Sequence, residues 1–144
     1  MSQGYLNPPI DSENEGFWEG TRRGELSVEQ CGGCNALRFP PKPMCPHCRS
    51  TERRWVPVAG EGTIWSFVLP HPPLLPEFTE LAPYNVIVVA LSEDPTLRMI
   101  GNLVNEPGDA INAFEPSRIE IDARVRVVFE AVSDEIQLPR WVLA

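Results

Sequence analysis

Four cysteines in two short pairs constrain this chain more than any other feature. Cys31-Gly32-Gly33-Cys34 and Cys45-Pro46-His47-Cys48 are separated by ten residues. Two residues between cysteines let both thiolates of one knuckle reach a single ion, and two knuckles complete a tetrahedral four-sulfur site. The pattern therefore reads as a structural zinc ion on Cys31, Cys34, Cys45 and Cys48. Iron in a rubredoxin-like site would use the same ligands. A thioredoxin-like redox pair needs a βαβ context, which the sequence lacks. Catalytic zinc needs an open coordination position, and four thiolates leave none. His47 lies inside the second knuckle and, beside four cysteines, reads as a surface residue. Pro40, Pro41, Pro43 and Pro46 make this block loop rather than helix.

Size gives the metal a purpose. The chain has 144 residues and 42% apolar side chains, enough for one average domain or two very small ones. A unit as short as the cysteine block has little core of its own, and a metal replaces it. No stretch of the sequence approaches the 18 or more apolar residues of a membrane span. Met1 to Tyr5 carry no basic run and no apolar segment, so no secretory signal is expected and the expected compartment is the cytoplasm.

Charge divides the chain into three. Residues 1–30 are net −4, residues 31–56 net +4, and residues 57–144 net −8. The expected organisation follows those limits: a disordered tip and N-terminal helix over 1–30, a zinc ribbon over 31–56, and a barrel over 57–144. In the first unit, Ser12 with Glu15 forms a capping-box pattern and Gly24 stands where a helix stops. Phe17 and Trp18 between them are anchors for the chain's own core or for a partner. Leu26 to Gln30 alternates as a short strand.

The third unit is strand-rich. Thr63 to Leu69 alternates and is expected to put Trp65, Phe67 and Leu69 on one face. Asn85 to Leu91 is a nearly continuous apolar run, as in a strand covered on both sides. Leu97 to Val104 is interrupted by Gly101, which predicts a bulge or sharp bend. Arg124 to Glu130 points Val125, Val127 and Phe129 inward. Ile136 to Leu143 is a last strand, confined to an edge by Pro139. Residues 105–117 hold turn signals and a short helical turn. Five strands in about 85 residues without a long helix predict a small closed barrel. Between its first two strands, residues 70–83 carry five prolines and hold His71, Leu74, Leu75 and Phe78 in a stiff apolar loop.

The quoted motifs, together with Phe17-Trp18-Glu19-Gly20, Leu37-Arg38-Phe39-Pro40-Pro41, Gly60-x-Gly62-Thr63, Ala82-Pro83-Tyr84 and Val125-Arg126-Val127-Val128-Phe129, run in order from about residue 14 to the C-terminus. In this the chain resembles the zinc-ribbon/OB-fold acyl-CoA-associated proteins. The resemblance implies a mainly β protein: a short N-terminal helix, a rubredoxin-like zinc ribbon, then a five-stranded OB-fold barrel. It implies a non-catalytic accessory subunit in a hetero-oligomer, partnering a thiolase-like aldolase or thiolase acting on acyl-CoA, with steroid side-chain degradation as one setting. A MaoC-like enoyl-CoA hydratase is the alternative partner. Arg49 follows the second knuckle where such proteins often carry glycine, and Asn35 holds the matching place after the first.

Candidate ligand contacts follow from both lines. Arg38 and Lys42 in the basic ribbon are candidates for the phosphates of an acyl-CoA; His71, Leu74, Leu75 and Phe78 are candidates for its acyl side. No nucleophile–base motif is recognisable, so no catalytic residue is expected. Single-stranded nucleic acid is the competing ligand for an OB-fold, with Trp65 and Phe67 as stacking rings. A barrel of net −8, with no Lys/Arg run interleaving those rings, argues against it.

Overall fold

The computed structural model describes residues 6–144. The disordered tip and the absent signal segment, as far as they concern residues 1–5, fall outside the described residues. Helix α1 (Glu15–Arg22) leads into a three-stranded antiparallel sheet of β1 (Leu26–Cys31), β2 (Leu37–Arg38) and β3 (Arg53–Val58), in the order β2-β1-β3. A five-stranded sheet follows: β4 (Glu61–Val68), β5 (Val86–Leu91), β6 (Arg98–Gly101), β7 (Arg124–Ala131) and β8 (Gln137–Leu143), in the order β6-β5-β4-β7-β8. Leu103, just past the end of β6, forms a parallel bridge to Trp141 of β8 at the opposite edge. The sheet thereby curls onto itself as the expected OB-fold barrel.

α1 ends as expected and begins differently. Gly24 has φ 77°, and the amides of Gly24 and Glu25 donate to the carbonyls of Thr21 and Gly20. That is a Schellman stop, and glycine is the residue that enters its left-handed turn without strain. At the other end Ser12 is no cap. The Asp11 carboxylate accepts from the amides of Glu13 and Asn14, and Asn14 is the N-cap residue. Asp and Asn close such local turns more readily than Ser, and Asp11 takes the donors Ser12 would have needed.

The barrel strands lie close to their expected positions, with one shift of face. A β-bulge between Ile64 and Ser66 turns Trp65 outward, where half of it is exposed beneath the Arg98 guanidinium. Ile64 is buried in its place, while Phe67 and Leu69 pack on the core. Strict alternation cannot survive the extra residue of a bulge. In β5, Ile87, Val89 and Leu91 are buried, and Val86 and Val88 are half-covered on the other face. In β7, Val125 is buried, and Val127 and Phe129 are half-buried against the core.

Gly101 is neither bulge nor bend. It ends β6 where the Trp141 indole leaves no room for a side chain. The short helical turn falls at Pro116–Arg118, and a second one, α2 (Pro76–Thr79), interrupts the proline-rich loop.

One core serves both sheets. Phe17 and Trp18 of α1 and Leu26 and Val28 of β1 belong to the same buried cluster as Ile64, Ile87, Met99 and Trp141 of the barrel. The N-terminal helix is thus packed on its own chain.

Candidate metal centre and the aromatic cleft beside it

The two knuckles are built alike. Cys31 closes β1, and Cys45 follows the proline loop. In the first knuckle Asn35 N donates to Cys31 O and Cys31 N to Ala36 O; in the second Arg49 N donates to Cys45 O and Cys45 N to Ser50 O. Asn35 and Arg49 turn the chain with φ 64° and 66°, the left-handed conformation that glycine adopts without strain and asparagine tolerates.

These turns bring the four sulfurs within 4.8 Å of one another. Cys31–Cys48 and Cys34–Cys45 are 3.5 and 3.7 Å apart. A tetrahedron with Zn–S bonds of about 2.3 Å has sulfur–sulfur edges of about 3.8 Å, so the cluster has the dimensions of one zinc ion.

Backbone amides prepare the sulfurs. Gly33 N and Cys34 N point at Cys31 Sγ, and His47 N at Cys45 Sγ. The Cys34 amide is the main cause that pulls the Cys31 thiol down to about 6. The Cys48 amide, followed by that of His47, lowers Cys45. Cys48 also has an amide, from Ser50, working to keep it low, but the neighbouring thiols and burial outweigh it and push it up to about 11. Thiolate is the ligand form, so two of the four donors are poised for a cation.

Behind the centre lies a residue that the spacing patterns do not single out. Glu29 is fully buried on β1. Its carboxylate accepts from Arg38 Nε at 2.8 Å, from the Lys42 amide at 3.0 Å and from Arg53 Nη1. Arg53 reaches on to the Glu13 carboxylate and the Ser12 carbonyl. Glu29 therefore ties the ribbon loop, β3 and the approach to α1 together. A buried ion cluster gains little net stability, because desolvation offsets the attraction, but losing one member is costly. The available signal is the one acid of Leu26–Cys31, two residues before Cys31.

The candidate ligand residues divide. Arg38 lies inside the protein, 7% exposed, with its guanidinium on Glu29. Lys42 is exposed, as are Arg49 and Arg54. His71 is exposed, with Nδ1 2.7 Å from Leu69 O, and Leu75 is exposed. Phe78 is brought to Phe17 and Trp18. The three line a cleft of about 420 Å³, walled also by Phe39 of the ribbon, Tyr84, and Ile100 of β6. Phe78 and Tyr84 pack ring to ring at 5.8 Å, and Phe17 stands edge-on to Trp18 at 4.9 Å. Asn102 and Arg140 supply its polar end. A concave, aromatic wall with a few polar groups is the form of a ligand or partner site. His71, Leu74 and Leu75 do not line it.

Comparison with known proteins agrees with both units. A family model described as "ChsH2, rubredoxin-like zinc ribbon domain" matches residues 18–52, and one described as "ChsH2, C-terminal OB-fold domain" matches residues 55–130. A solved structure titled "Ltp2-ChsH2(DUF35) aldolase" contains a chain that superposes with TM-score 0.79 at 32% identity, over 95% of this chain and 98% of that one. A probable enoyl-CoA hydratase alpha subunit of Thermomonospora curvata is 33% identical over 92% of this chain. The 3-oxo-4,17-pregnadiene-20-carboxyl-CoA hydratase alpha subunit of Mycobacterium tuberculosis is 29% identical over 96%. This chain spans 38% of the length of each of those two subunits. Among the described residues no helix is long and apolar enough to cross a membrane. With a ribbon and a barrel each matched in order and a fold shared from end to end, the chain belongs to the ChsH2 family of rubredoxin-like zinc ribbon and OB-fold proteins.

Proposed function

We propose that this chain is a non-catalytic accessory subunit of a CoA-thioester enzyme complex and that it seats on a thiolase-like aldolase partner. The observation that carries the reading is the end-to-end match to a chain of the Ltp2–ChsH2 aldolase. The chemistry of this chain agrees with it. His71 is exposed, with Nδ1 on the Leu69 carbonyl, and lies outside the aromatic cleft. The four thiols face one another rather than a substrate. Catalytic groups then come from the partner, and this chain contributes surface.

In this reading Cys31, Cys34, Cys45 and Cys48 hold a structural zinc ion that keeps the ribbon folded and does no chemistry on substrate. The cleft of Phe17, Trp18, Phe39 and Phe78 receives an apolar element of the complex, either part of the partner or the acyl portion of the thioester. Lys42, Arg49 and Arg54 are the ribbon cations left to meet CoA phosphates. Steroid side-chain degradation is the metabolic setting in keeping with the substrate in the Mycobacterium tuberculosis relative's name, and a MaoC-like partner is the second reading, in keeping with both hydratase names.

Co-expression with thiolase-like and, separately, MaoC-like subunits of the same host tests this. The expected result is a stable complex with one thiolase-like subunit, acyl-CoA cleavage by the complex, and no turnover by this chain alone. Complex formation only with the hydratase subunit would move the reading to the second partner. Turnover by the isolated chain would overturn it.

A further inference from the structure

We propose that Arg38 belongs to the metal centre, its unpaired Nη1 donating to a cysteine thiolate of the cluster, with Cys31 the nearest candidate by position on the sheet. The proposal rests on the reading that the four cysteines hold a metal, and goes beyond it to a residue that is not a ligand.

The placement comes from strand geometry. Glu29 and Cys31 are two residues apart on β1, so their side chains leave the same face. Arg38 sits opposite Glu29 in register, and Arg53 opposite Cys31. The ion cluster thus shares one face with the sulfur. Arg38 uses two of its three nitrogens there: Nε donates to Glu29, and Nη2 to the Lys42 carbonyl at 3.3 Å. Nη1 is buried with no hydrogen-bond partner. A buried guanidinium N–H without an acceptor is uncommon and costly, so the site needs one. A charged sulfur is the acceptor that the neighbouring cysteine centre would supply. Burial works against the Arg38 charge, but the bond to Glu29, that carboxylate's charge and the nearby sulfurs of Cys31 and Cys45 outweigh it.

The consequence is electrostatic. Four thiolates around Zn²⁺ carry a formal charge of −2, and a donated N–H draws off part of the charge on one sulfur, while the guanidinium's own charge is balanced by Glu29. A thiolate that accepts an N–H bond is also harder to protonate and slower to leave the metal. Glu29 has the positioning role, because it holds the guanidinium in place. Removing an outer partner of a metal ligand typically weakens the metal site about 10–100-fold.

The test uses the zinc-loaded full chain and its cobalt-substituted form. Arg38→Gln is expected to release zinc to a chromophoric chelator at least ten times faster and to shift the sulfur-to-cobalt charge-transfer band to lower energy. Arg38→Lys, which keeps the charge, is expected to restore part of both. A folded Arg38→Gln protein with unchanged release and an unchanged band overturns the proposal. If that variant does not fold, the wild type loaded with cadmium-113 decides. Scalar coupling between the metal and an Arg38 guanidinium proton supports the bond, and its absence overturns it. A wild type that takes up no metal overturns the metal reading and this one together; normal metal content with no Arg38 effect overturns this one alone.

Discussion

Asn85 and Leu103 exchange two hydrogen bonds through one side chain: Asn85 Nδ2 donates to the Leu103 carbonyl at 2.9 Å, and the Leu103 amide donates to Asn85 Oδ1 at 2.6 Å. Both residues are buried. The amide does what a strand would do at the place where β6 has ended and the barrel is about to close on Trp141. Asn102 continues the lock, accepting from Arg140 and donating to the Asn85 carbonyl. Asn85→Ala leaves a buried N–H and C=O unpaired, at about 1–3 kcal/mol for such a group. Urea denaturation of the zinc-loaded protein should show a loss of at least about 2 kcal/mol; an unchanged midpoint would mean that the lock is idle.

Gly101 tests the same closure from the other side. A Cβ there would stand 2.7 Å from Trp141 Cδ1 and 2.8 Å from its Nε1. Trp141 is itself 1% exposed and cannot swing away. Gly101→Ala should cost about 1–3 kcal/mol through overpacking and alter the near-ultraviolet circular dichroism of the indole. A variant that keeps both stability and spectrum would show that the barrel yields more easily than its packing implies.

What was legible in the sequence is what has a period or a spacing. The cysteine pairs name their own site, and runs such as Asn85 to Leu91 name strands. Four things lacked such a signal. Trp65 faces outward because a bulge inserts one residue, and nothing in Thr63 to Leu69 marks the insertion. Glu29 binds Arg38 and Arg53, nine and twenty-four residues away; the link exists only after β1 is placed between β2 and β3. Arg38 was legible as a cation of a basic block, but not as a buried one, because charge runs do not say which member turns inward. Phe78 reaches Phe17 and Trp18 by the same kind of folding, across some sixty residues of chain.

Arg49 carries a local strain that can be removed. Its φ of 66° is a left-handed conformation that disfavours a side chain, by about 1–2 kcal/mol. The residue is exposed. Arg49→Gly should raise stability by roughly 1 kcal/mol after the greater freedom of unfolded glycine is deducted. Asn35 has nearly the same φ, but asparagine tolerates it, so Asn35→Gly should gain less. Thermal melts of the two variants side by side check the order, and equal shifts would contradict it.

Cys34→Ser removes one of four sulfurs, and structural zinc in short ribbons is worth about 10–16 kcal/mol of folding free energy. The expected outcome is joint: zinc content by elemental analysis falls to near zero and soluble folded protein is lost. A variant that stays folded without metal would show that the shared core of α1, β1 and the barrel suffices, and the structural role of zinc would fall.

Ile100 separates binding from folding. It lines the rim of the aromatic cleft and is 73% exposed, although its neighbour Met99 is buried. An exposed aliphatic side chain contributes little to the isolated fold, so Ile100→Ser should change stability by no more than about 0.5 kcal/mol. At an interface the same side chain would lose its contacts and its water exclusion. If the cleft seats the thiolase-like partner, affinity should fall about tenfold, or about 1.4 kcal/mol. Titration of the zinc-loaded chain into the partner, with acyl-CoA absent and then present, reads this directly. A tenfold loss without ligand places the partner in the cleft. A loss that appears only with acyl-CoA present places the thioester there instead. No loss in either titration would remove the cleft from the proposed function and leave the outer face around Trp65 as the next surface to probe.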